Sequence, residues 1–434
     1  MTAPATPATR GQVFAWALWD AGSASFNAVI LTFVFTPYYL IGAVGAGIGG
    51  SVSAAAWLGY ALGAAGFLIA VLAPVSGQQA DHSGRRKLSV MAWTVVTVAV
   101  TAALFVVQDD ARYFWLGLLL VAVGSVTFEL AEVSYFAMIT QVSTPATVGR
   151  VSGVGWAAGY FGGIVLLLAI YAGLIAGDGP TRGVLDVPVE DGLNFRVAAL
   201  VAAAWFLLLA LPLFARIPET PRRGQPRRGV LAAYRTLLRD LRELYATAPH
   251  TVYFLGASAL LRDGLAAIFT LGGVLAVSVY GFDGADVLVF GIAANLVAAA
   301  GALAGGRLDD RFGPKPVIIG SLVGLLVAGS VLLVSSGRTA FWLFGLLLTV
   351  FVGPAQSACR SFLARLAPPG REGQLFGLYA TTGRAVSFLA PTLFGVFIAV
   401  FGSDRAGIVG ILLVLAAGLI ALLPVRRPVA AAVG

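Results

Sequence analysis

Charged residues are scarce in this chain. Only 11% of its 434 residues are charged, against about 25% in soluble globular proteins. The positive charge is almost all arginine, because Lys87 and Lys315 are the only lysines among the 28 basic residues. This low polarity excludes a water-soluble enzyme of this length, and it also excludes a disordered chain.

Cysteine and the common catalytic motifs are also missing. Cys359 is the only cysteine, which excludes a disulfide framework and the redox chemistry of a cysteine pair. The sequence has no Walker A loop, HExxH pair or nucleophile elbow, so phosphoryl transfer, zinc chemistry and acyl transfer lack a site. We therefore expect no enzyme activity, cofactor or metal. The segments outside the apolar runs are too short to carry a basic face, so we expect no nucleic-acid partner.

Long apolar runs dominate the sequence instead. Hydrophobic residues make up 59% of the chain and the mean hydropathy is +0.91. A helix needs about 20 apolar residues to cross a hydrocarbon core of about 30 Å, and these runs are too long for barrel strands. Runs of this length fall near 14–40, 52–76, 88–107, 113–138, 151–175, 195–215, 251–280, 286–305, 317–335, 341–363, 375–401 and 405–424. The sequence therefore predicts an all-α polytopic membrane protein with 12 transmembrane helices.

The runs form two sets of six around a polar segment. We predict an N-terminal six-helix bundle at 1–215, a cytoplasmic linker at 216–249 and a C-terminal six-helix bundle at 250–434. Within the linker, residues 230–245 have the spacing of an amphipathic basic helix, which favours a connector on the anionic inner leaflet over a docking site. The first residues lack a signal-peptide cleavage site, so we expect the first run to remain as a span.

Basic residues mark one side of the membrane. One alternating set of loops and termini carries 20 Lys and Arg residues, the other set carries 5, and the remaining 3 lie inside apolar runs. The positive-inside rule assigns the richer side to the cytoplasm. We therefore predict a multi-pass protein of the cell (inner) membrane with both termini cytoplasmic.

A loop motif is repeated once in each set of six runs. The first copy contains Gly77, Asp81, Gly84, Arg85 and Arg86, and the second contains Gly306, Asp310, Gly313 and Lys315. The glycines permit a tight turn and close helix approach, while the acid can accept hydrogen bonds from a helix end or an arginine. We therefore predict that both copies act in gating, by holding the two halves in one state.

The repeated loop resembles the signature of the major facilitator superfamily. Four further stretches, residues 16–39, 262–264, 356–368 and 375–391, resemble its unknown-major-facilitator branch, which includes fungal vacuolar amino-acid effluxers linked to autophagy. Arg262 and Arg384 stand where that branch has asparagine and lysine. The resemblance implies a major facilitator fold, in which two six-helix bundles rock about a substrate site at the midplane.

Ionisable residues inside the runs cost about 2.5–3.5 kcal/mol each on insertion scales, so each is a candidate functional residue. Asp20, Ser23 and Asn27 lie at i, i+3 and i+7 of the first run, which predicts one polar stripe facing a water-filled cavity. A partly desolvated carboxylate there can take up a proton near neutral pH. A static hydrogen bond between helices is the alternative for Asp20, and Asp263 occupies the repeat position of Asp20.

Two glutamates share a face of the fourth run. Glu129 and Glu132 lie at i and i+3. Two carboxylates at such a short separation are rarely ionised together unless a cation neutralises one of them. Arg360 and Arg150 are the candidate cations. If Glu132 only pairs with arginine, it belongs to an inner gate and does not carry the proton. We place Arg360 with the gating residues. The predicted coupling residues are Asp20, Glu129, Glu132 and Asp263.

Arg384 lies near the middle of the eleventh run and needs an anionic partner, either a carboxylate of the protein or that of the substrate. Trp156 and Tyr160 lie among glycines of the fifth run and are predicted to line the cavity. Several of the other aromatic residues of the runs, a set that includes Trp16, Trp19 and Tyr39, are expected at the membrane interfaces. The predicted substrate-binding residues are Asp20, Ser23, Asn27, Trp156, Tyr160 and Arg384.

These residues predict a secondary transporter of small molecules, coupled to protons or else to sodium. Amino-acid efflux is what the family resemblance implies. A drug/proton antiporter is the first alternative, which the acidic residues would suit and Arg384 would not. A non-transporting membrane scaffold or sensor is the second. The expected partners are a small-molecule substrate, the coupling ion and the lipid bilayer, and we expect a monomer.

Overall fold

The computed structural model describes residues 8–219 and 230–426. Within these residues, eleven helices are long and apolar enough to cross a membrane, and a bent pair at the start adds a twelfth. We number them as spans 1 to 12. Spans 1 to 6 are Arg10–Phe33 with Phe35–Gly47, Ala54–Ser83, Arg86–Val106, Ala111–Val142, Val148–Ile175 and Glu190–Arg216. Spans 7 to 12 are Pro249–Ser278, Asp286–Phe312, Pro314–Val334, Arg338–Leu366, Glu372–Phe401 and Asp404–Leu422.

Several spans include short 3-10 or π-helical turns. Their α-helical parts are Arg10–Ser25, Ala54–Ser83, Arg86–Ala103, Phe114–Ala137, Ile139–Val142, Val148–Ile170, Leu193–Arg216, Pro249–Ser278, Gly284–Phe312, Pro314–Val334, Arg338–Ala340, Leu346–Leu366, Glu372–Val386, Leu389–Phe401 and Gly407–Leu422. One further helix, Val230–Thr247, precedes span 7, and we name it the linker helix. Strands Thr181–Arg182 and Val187–Pro188 pair antiparallel between spans 5 and 6. The predicted all-α, twelve-span fold class is confirmed.

Contacts divide the chain into two compact units. The first comprises Met1–Leu72, Gly84–Met138 and Ala158–Arg222, and the second comprises Ala73–Ser83, Ile139–Ala157 and Arg223–Gly434. The end of span 2 and the start of span 5 therefore belong to the same unit as spans 7 to 12. The predicted domains follow chain order rather than contacts, so the domain boundaries stay a prediction.

Two spans are interrupted just before a proline. Span 1 is α-helical to Ser25 and π-helical over Phe26–Phe33, and it bends by 43° before Phe35–Gly47. The ring of Pro37 clashes with a helical carbonyl four residues earlier, which is that of Phe33. Span 11 is interrupted in the same way, because its two α-helical parts leave out Ser387, the residue four before Pro391.

The core of the first unit is aromatic. Trp16, Trp19 and Tyr39 are each 0% exposed, so placing them at the membrane interfaces was wrong. Their polar atoms have partners inside the protein: the Trp16 indole N–H donates to the Tyr135 carbonyl at 3.4 Å, and the Trp19 indole N–H donates to Thr94 Oγ1 at 3.0 Å. The Tyr39 hydroxyl donates to the Val107 carbonyl at 2.7 Å. With these bonds made, the rings need no contact with water.

Candidate functional site

Two of the predicted coupling carboxylates are buried in the first unit. Asp20 on span 1 is 9% exposed and Glu129 on span 4 is 5% exposed. The Ser23 hydroxyl donates to the Asp20 carbonyl at 3.0 Å. Span 5 passes close by, because a Cβ on Gly159 would stand 3.5 Å from the Asp20 carbonyl and one on Gly162 would stand 2.5 Å from the Ala21 carbonyl. The glycines of span 5 thus let its backbone contact span 1 beside a buried acid.

The predicted polar stripe on span 1 is only partly α-helical. Asp20 and Ser23 lie in the α-helical part, whereas Asn27 is exposed and lies in the π-helical segment Phe26–Phe33. A π-helix turns less per residue than an α-helix, so Asn27 leaves the register that a spacing of seven residues assumes. Glu129 and Glu132 lie on the uninterrupted helix Phe114–Ala137 and share a face of it.

Trp156 and Tyr160 are half-buried and lie one turn apart on span 5. The boundary between the two units falls between them, so Trp156 belongs to the second unit and Tyr160 to the first. The guanidinium of Arg360 lies 5.5 Å from the centroid of the Trp156 ring, within the range of a cation–π contact.

Arg360 connects span 10 to span 5. It is 1% exposed, its Nε donates to Ser152 Oγ at 3.0 Å and its Nη2 donates to the Ser152 carbonyl at 2.7 Å. Ser152 Oγ in turn donates to the Ser357 carbonyl at 2.8 Å. The other candidate cation, Arg150, pairs with Asp310 at 2.9 Å.

Asp81, from the first copy of the loop motif, caps the start of span 11. Its carboxylate accepts hydrogen bonds from the backbone N–H groups of Gly373 at 3.0 Å and Gln374 at 2.9 Å. These are the second and third residues of the helix Glu372–Val386, where N–H groups lack helical partners and the helix dipole attracts an anion. A Cβ on Gly77 would overlap the Gly373 carbonyl, so only glycine permits this approach.

Asp310, from the second copy, caps the start of span 5 in the same way. Its carboxylate accepts from the N–H groups of Gly149 at 2.8 Å and Arg150 at 3.2 Å, the second and third residues of Val148–Ile170. A Cβ on Gly306 would stand 2.5 Å from the Gly149 carbonyl. We name these two sets of bonds the Asp81 latch and the Asp310 latch.

The other motif residues shape the ends of the spans. Gly84 and Gly313 have φ of 61° and 88°, in the region that favours glycine, and they end spans 2 and 8. Arg85 is half-buried before the first residue of span 3, and Arg86 is 5% exposed. Lys315 Nζ donates to the Leu423 and Val425 carbonyls at 2.6 Å each, so it holds the end of span 12.

Three residues of the Asp310 latch region were not predicted from the sequence. Asp309 is 0% exposed and accepts hydrogen bonds from Ser361 and Arg365. Arg365 Nη2 also lies 3.5 Å from Asp310 Oδ1. The sequence did contain one signal for them, the pair of adjacent acids at the end of an apolar run. If one of these acids is fully buried, it requires a paired cation, and that requirement points to a nearby arginine.

The remaining candidates gather around span 11. Asp263 is 4% exposed and accepts from the Ala390 N–H at 2.7 Å. Arg262 Nη1 donates to the Tyr379 carbonyl at 2.8 Å. Arg384 is exposed and lies in the last turn of Glu372–Val386. The second unit thus holds Asp263, Trp156 and Arg384, and the first holds Asp20, Glu129 and Tyr160.

Solved structures of major facilitator transporters share this fold. The proton:xylose symporter XylE superposes with a TM-score of 0.72 at 15% identity, covering 95% of this chain and 94% of that one. The human organic anion transporter MFSD10 gives a TM-score of 0.71 at 16% identity, covering 96% of this chain and 100% of that one. At these identities the likeness establishes the fold and not the substrate.

Sequence relatives narrow the family further. The MFS-type transporter YxiO of Bacillus subtilis is 24% identical over 414 residues, covering 94% of this chain and 93% of its own length. Autophagy-related protein 22-1 of Neosartorya fischeri is 27% identical over 317 residues, covering 66% of this chain and 51% of its own length. The chain therefore spans about half the length of this fungal relative.

A family model described as "Vacuole effluxer Atg22 like" matches residues 140–432, more than half of the chain. The Bacillus relative and the solved structural neighbours are transporters of the major facilitator type. The resemblance expected from the motifs is thereby confirmed, and the chain belongs to the Atg22-like family of major facilitator transporters.

Proposed function

We propose that this protein is a proton-coupled transporter that exports small zwitterions, foremost amino acids, across the cell membrane. The observation that carries the proposal is the burial of Asp20 and Glu129 within membrane spans, where an ionisable group is costly and marks a proton or substrate pathway. The family description names efflux from a vacuole, and for this chain we propose efflux across the cell membrane.

The predicted site residues divide into two roles. Asp20, Glu129, Glu132 and Asp263 exchange the coupling proton. Asp20, Ser23, Asn27, Trp156, Tyr160 and Arg384 hold the substrate. A zwitterion suits this set, because a guanidinium pairs bidentately with a carboxylate, while an acid or an aromatic face attracts an ammonium group.

The two latches supply the gate in this proposal. Asp81 and Asp310 each hold a helix start from the other half of the sequence, so breaking both frees those helices to move. Gly77, Gly84, Arg85, Arg86, Gly306, Gly313, Lys315 and Arg360 support the same gate. The gate lies on the arginine-rich side, which we assign to the cytoplasm together with both termini. The transporter acts as a monomer.

Transport in liposomes tests the coupling. Purified protein is reconstituted with a mixture of radiolabelled amino acids inside, and release is measured with and without an imposed pH gradient. We expect the gradient to accelerate release in the wild type but not in Asp20→Asn or Glu129→Gln. Asp178→Asn, which changes an exposed loop acid in the same way, is the matched control. If the pH gradient does not change the rate of amino-acid release in the wild type, proton coupling is contradicted.

A second measurement separates zwitterions from lipophilic cations. The same liposomes are loaded with ethidium, and Arg384→Ala is compared with the wild type. We expect amino-acid release to depend on Arg384 and ethidium to stay inside. Gradient-driven release of ethidium without release of amino acids would contradict the proposed substrate class and identify a drug/proton antiporter.

A further inference from the structure

Span 11 consists of two helices rather than one. The α-helices Glu372–Val386 and Leu389–Phe401 are separated by Ser387 and Phe388. Pro391 causes the interruption, because it has no N–H to donate and its ring excludes a helical carbonyl at Ser387. The second helix consequently starts with N–H groups that lack helical partners.

Asp263 of span 7 caps that second start. Its Oδ2 accepts from the Ala390 N–H at 2.7 Å, and the side chain is 4% exposed. A carboxylate at this position satisfies one N–H group and interacts favourably with the positive end of the helix dipole. Asp263 thus fixes the second helix of span 11 to span 7.

Arg262, the preceding residue, holds the first helix. Its Nη1 donates to the Tyr379 carbonyl at 2.8 Å, and its guanidinium lies 4.0 Å from the centroid of the Tyr379 ring. Gly383 makes room for it, since a Cβ there would stand 2.7 Å from Nη1 and 3.0 Å from Cζ of Arg262. Neighbouring side chains on a helix point about 100° apart, so Arg262 and Asp263 reach different turns of span 11.

We infer that Arg262 and, in addition to its proposed role in proton exchange, Asp263 are positioning residues that hold the two helices of span 11 at a fixed angle and thereby place Arg384. We name the contacts of Arg262 with Tyr379 and of Asp263 with Ala390 the span 11 clamp. Arg384 lies between the two points of contact along the chain. The relevance of the clamp to transport rests on the proposed role of Arg384, whereas the clamp itself can be tested without any substrate.

Spin labels test the Asp263 contact. In a Cys359→Ala background, labels are attached at Val334→Cys and Val400→Cys, which replace side chains that are 79% and 70% exposed, and their separation is measured by pulsed electron paramagnetic resonance. We expect Asp263→Ala to shift or broaden the distance distribution. Asp263→Asn should keep the wild-type distribution, because an amide oxygen still accepts from the Ala390 N–H.

Thiol labelling tests the Arg262 contact. Arg384→Cys in the same background reacts with a charged methanethiosulfonate reagent, and the rate is compared between variants. We expect Arg262→Ala and Gly383→Ala each to change the rate about fivefold, because each loses the contact of Arg262 with Tyr379, an interaction of about the strength of a helix cap. Gly395→Ala is the matched control, because a Cβ at Gly395 on the same span meets nothing within 4 Å.

Certain outcomes overturn the inference. One is an unchanged distance distribution in Asp263→Ala together with unchanged labelling in Arg262→Ala and Gly383→Ala. Another is a distance distribution in Asp263→Asn that shifts as it does in Asp263→Ala. That result would mean that Asp263 acts through its charge and not as a hydrogen-bonding cap. If Asp263→Ala or Arg262→Ala does not fold, the comparisons of Gly383→Ala with Gly395→Ala and of Asp263→Asn with the wild type decide. These measurements use no amino acid and no transport assay. The clamp can therefore be contradicted while the proposed function stands, and the proposed function can be contradicted while the clamp stands.

Discussion

At the scale of single residues, glycine determines how closely the helices approach at the two latches. Gly77 faces the backbone of Gly373, and Gly306 faces that of Gly149. Without side chains between them, the backbones come near enough for Asp81 and Asp310 to reach the helix starts. The glycines of the motif therefore act through space, in addition to the turn-forming role of Gly84 and Gly313.

We predict that Gly77→Ala opens the Asp81 latch. The added Cβ would overlap the Gly373 carbonyl, and backbone cannot move aside as a flexible side chain can. Gln78, next to it and 2% exposed, serves as the reporter when changed to cysteine in the Cys359→Ala background. Its reaction with a thiol reagent should become faster. Gly66→Ala on the same span, where a Cβ meets nothing within 4 Å, should leave the rate unchanged, and equal rates in both variants would contradict the prediction.

Removing a latch carboxylate should destabilise the protein. We expect Asp81→Ala and Asp310→Ala each to cost about 1 kcal/mol, the usual value of a helix cap, and Asp81→Asn to cost less because the amide still accepts one bond. Thermal unfolding in detergent measures the order wild type, Asn variant, Ala variant. Asp178→Ala, at an exposed loop position, controls for general loss of acid. The same midpoint in the wild type and the three latch variants would rule the caps out as stabilising contacts.

Motif residues were easier to predict than the environments of single side chains. Spacing alone identified Asp81 and Asp310, because the motif occurs twice. Burial of Trp16 and Trp19 was not predictable in the same way, since an indole suits both a membrane interface and a polar partner in a core. Asn27 was misplaced in register because the π-helical segment changes the rotation per residue.

At the scale of elements, the linker helix packs against the start of span 11. Its residues Leu237 and Asp240 are 6% exposed, while Arg235 and Arg239 are exposed. Asp240 Oδ2 accepts from Gln374 Nε2 at 3.3 Å. The backbone N–H of the same glutamine donates to Asp81, so the linker helix is attached to the Asp81 latch through one residue.

We predict that Asp240→Ala loosens the linker helix. The substitution removes a hydrogen bond worth about 1 kcal/mol and leaves the buried Gln374 amide without its acceptor. Hydrogen exchange in peptides from Val230–Thr247 should become faster, and the unfolding midpoint should fall. Arg235→Ala on the exposed face of the same helix should change neither. Unaltered exchange in Asp240→Ala would mean that the apolar contacts alone hold the helix.

The sequence predicted the spans but not their interruptions. Runs of about 20 apolar residues identify membrane helices because the mean hydropathy of such a run is high. A single proline hardly changes this mean, so the interruption leaves no mark on it. Pro37 and Pro391 were visible in the sequence, yet whether a proline kinks, breaks or is tolerated in a span depends on what neighbouring helices offer the freed backbone groups. Asp263 meets that need at Ala390, a pairing between spans 7 and 11 that no local pattern encodes.

At the scale of the whole molecule, the distribution of basic residues predicts the topology. Because one side carries 20 Lys and Arg residues and the other 5, we expect the linker helix inside the cell and the strand hairpin outside. Single cysteines at Arg235 and Val184, in the Cys359→Ala background, report the two sides. A membrane-impermeant maleimide should label Val184→Cys in intact cells and Arg235→Cys only after permeabilisation. The reverse pattern would invert the topology.

The two latches are reciprocal in the chain. A carboxylate from the first six spans caps a helix of the last six, and a carboxylate from the last six caps a helix of the first. Identical subunits related by a two-fold axis make contacts of this kind, because residue i then meets residue j and residue j meets residue i. One self-complementary patch on a six-span ancestor would have produced both caps at once, so fusing two copies of it required no new contact at this place.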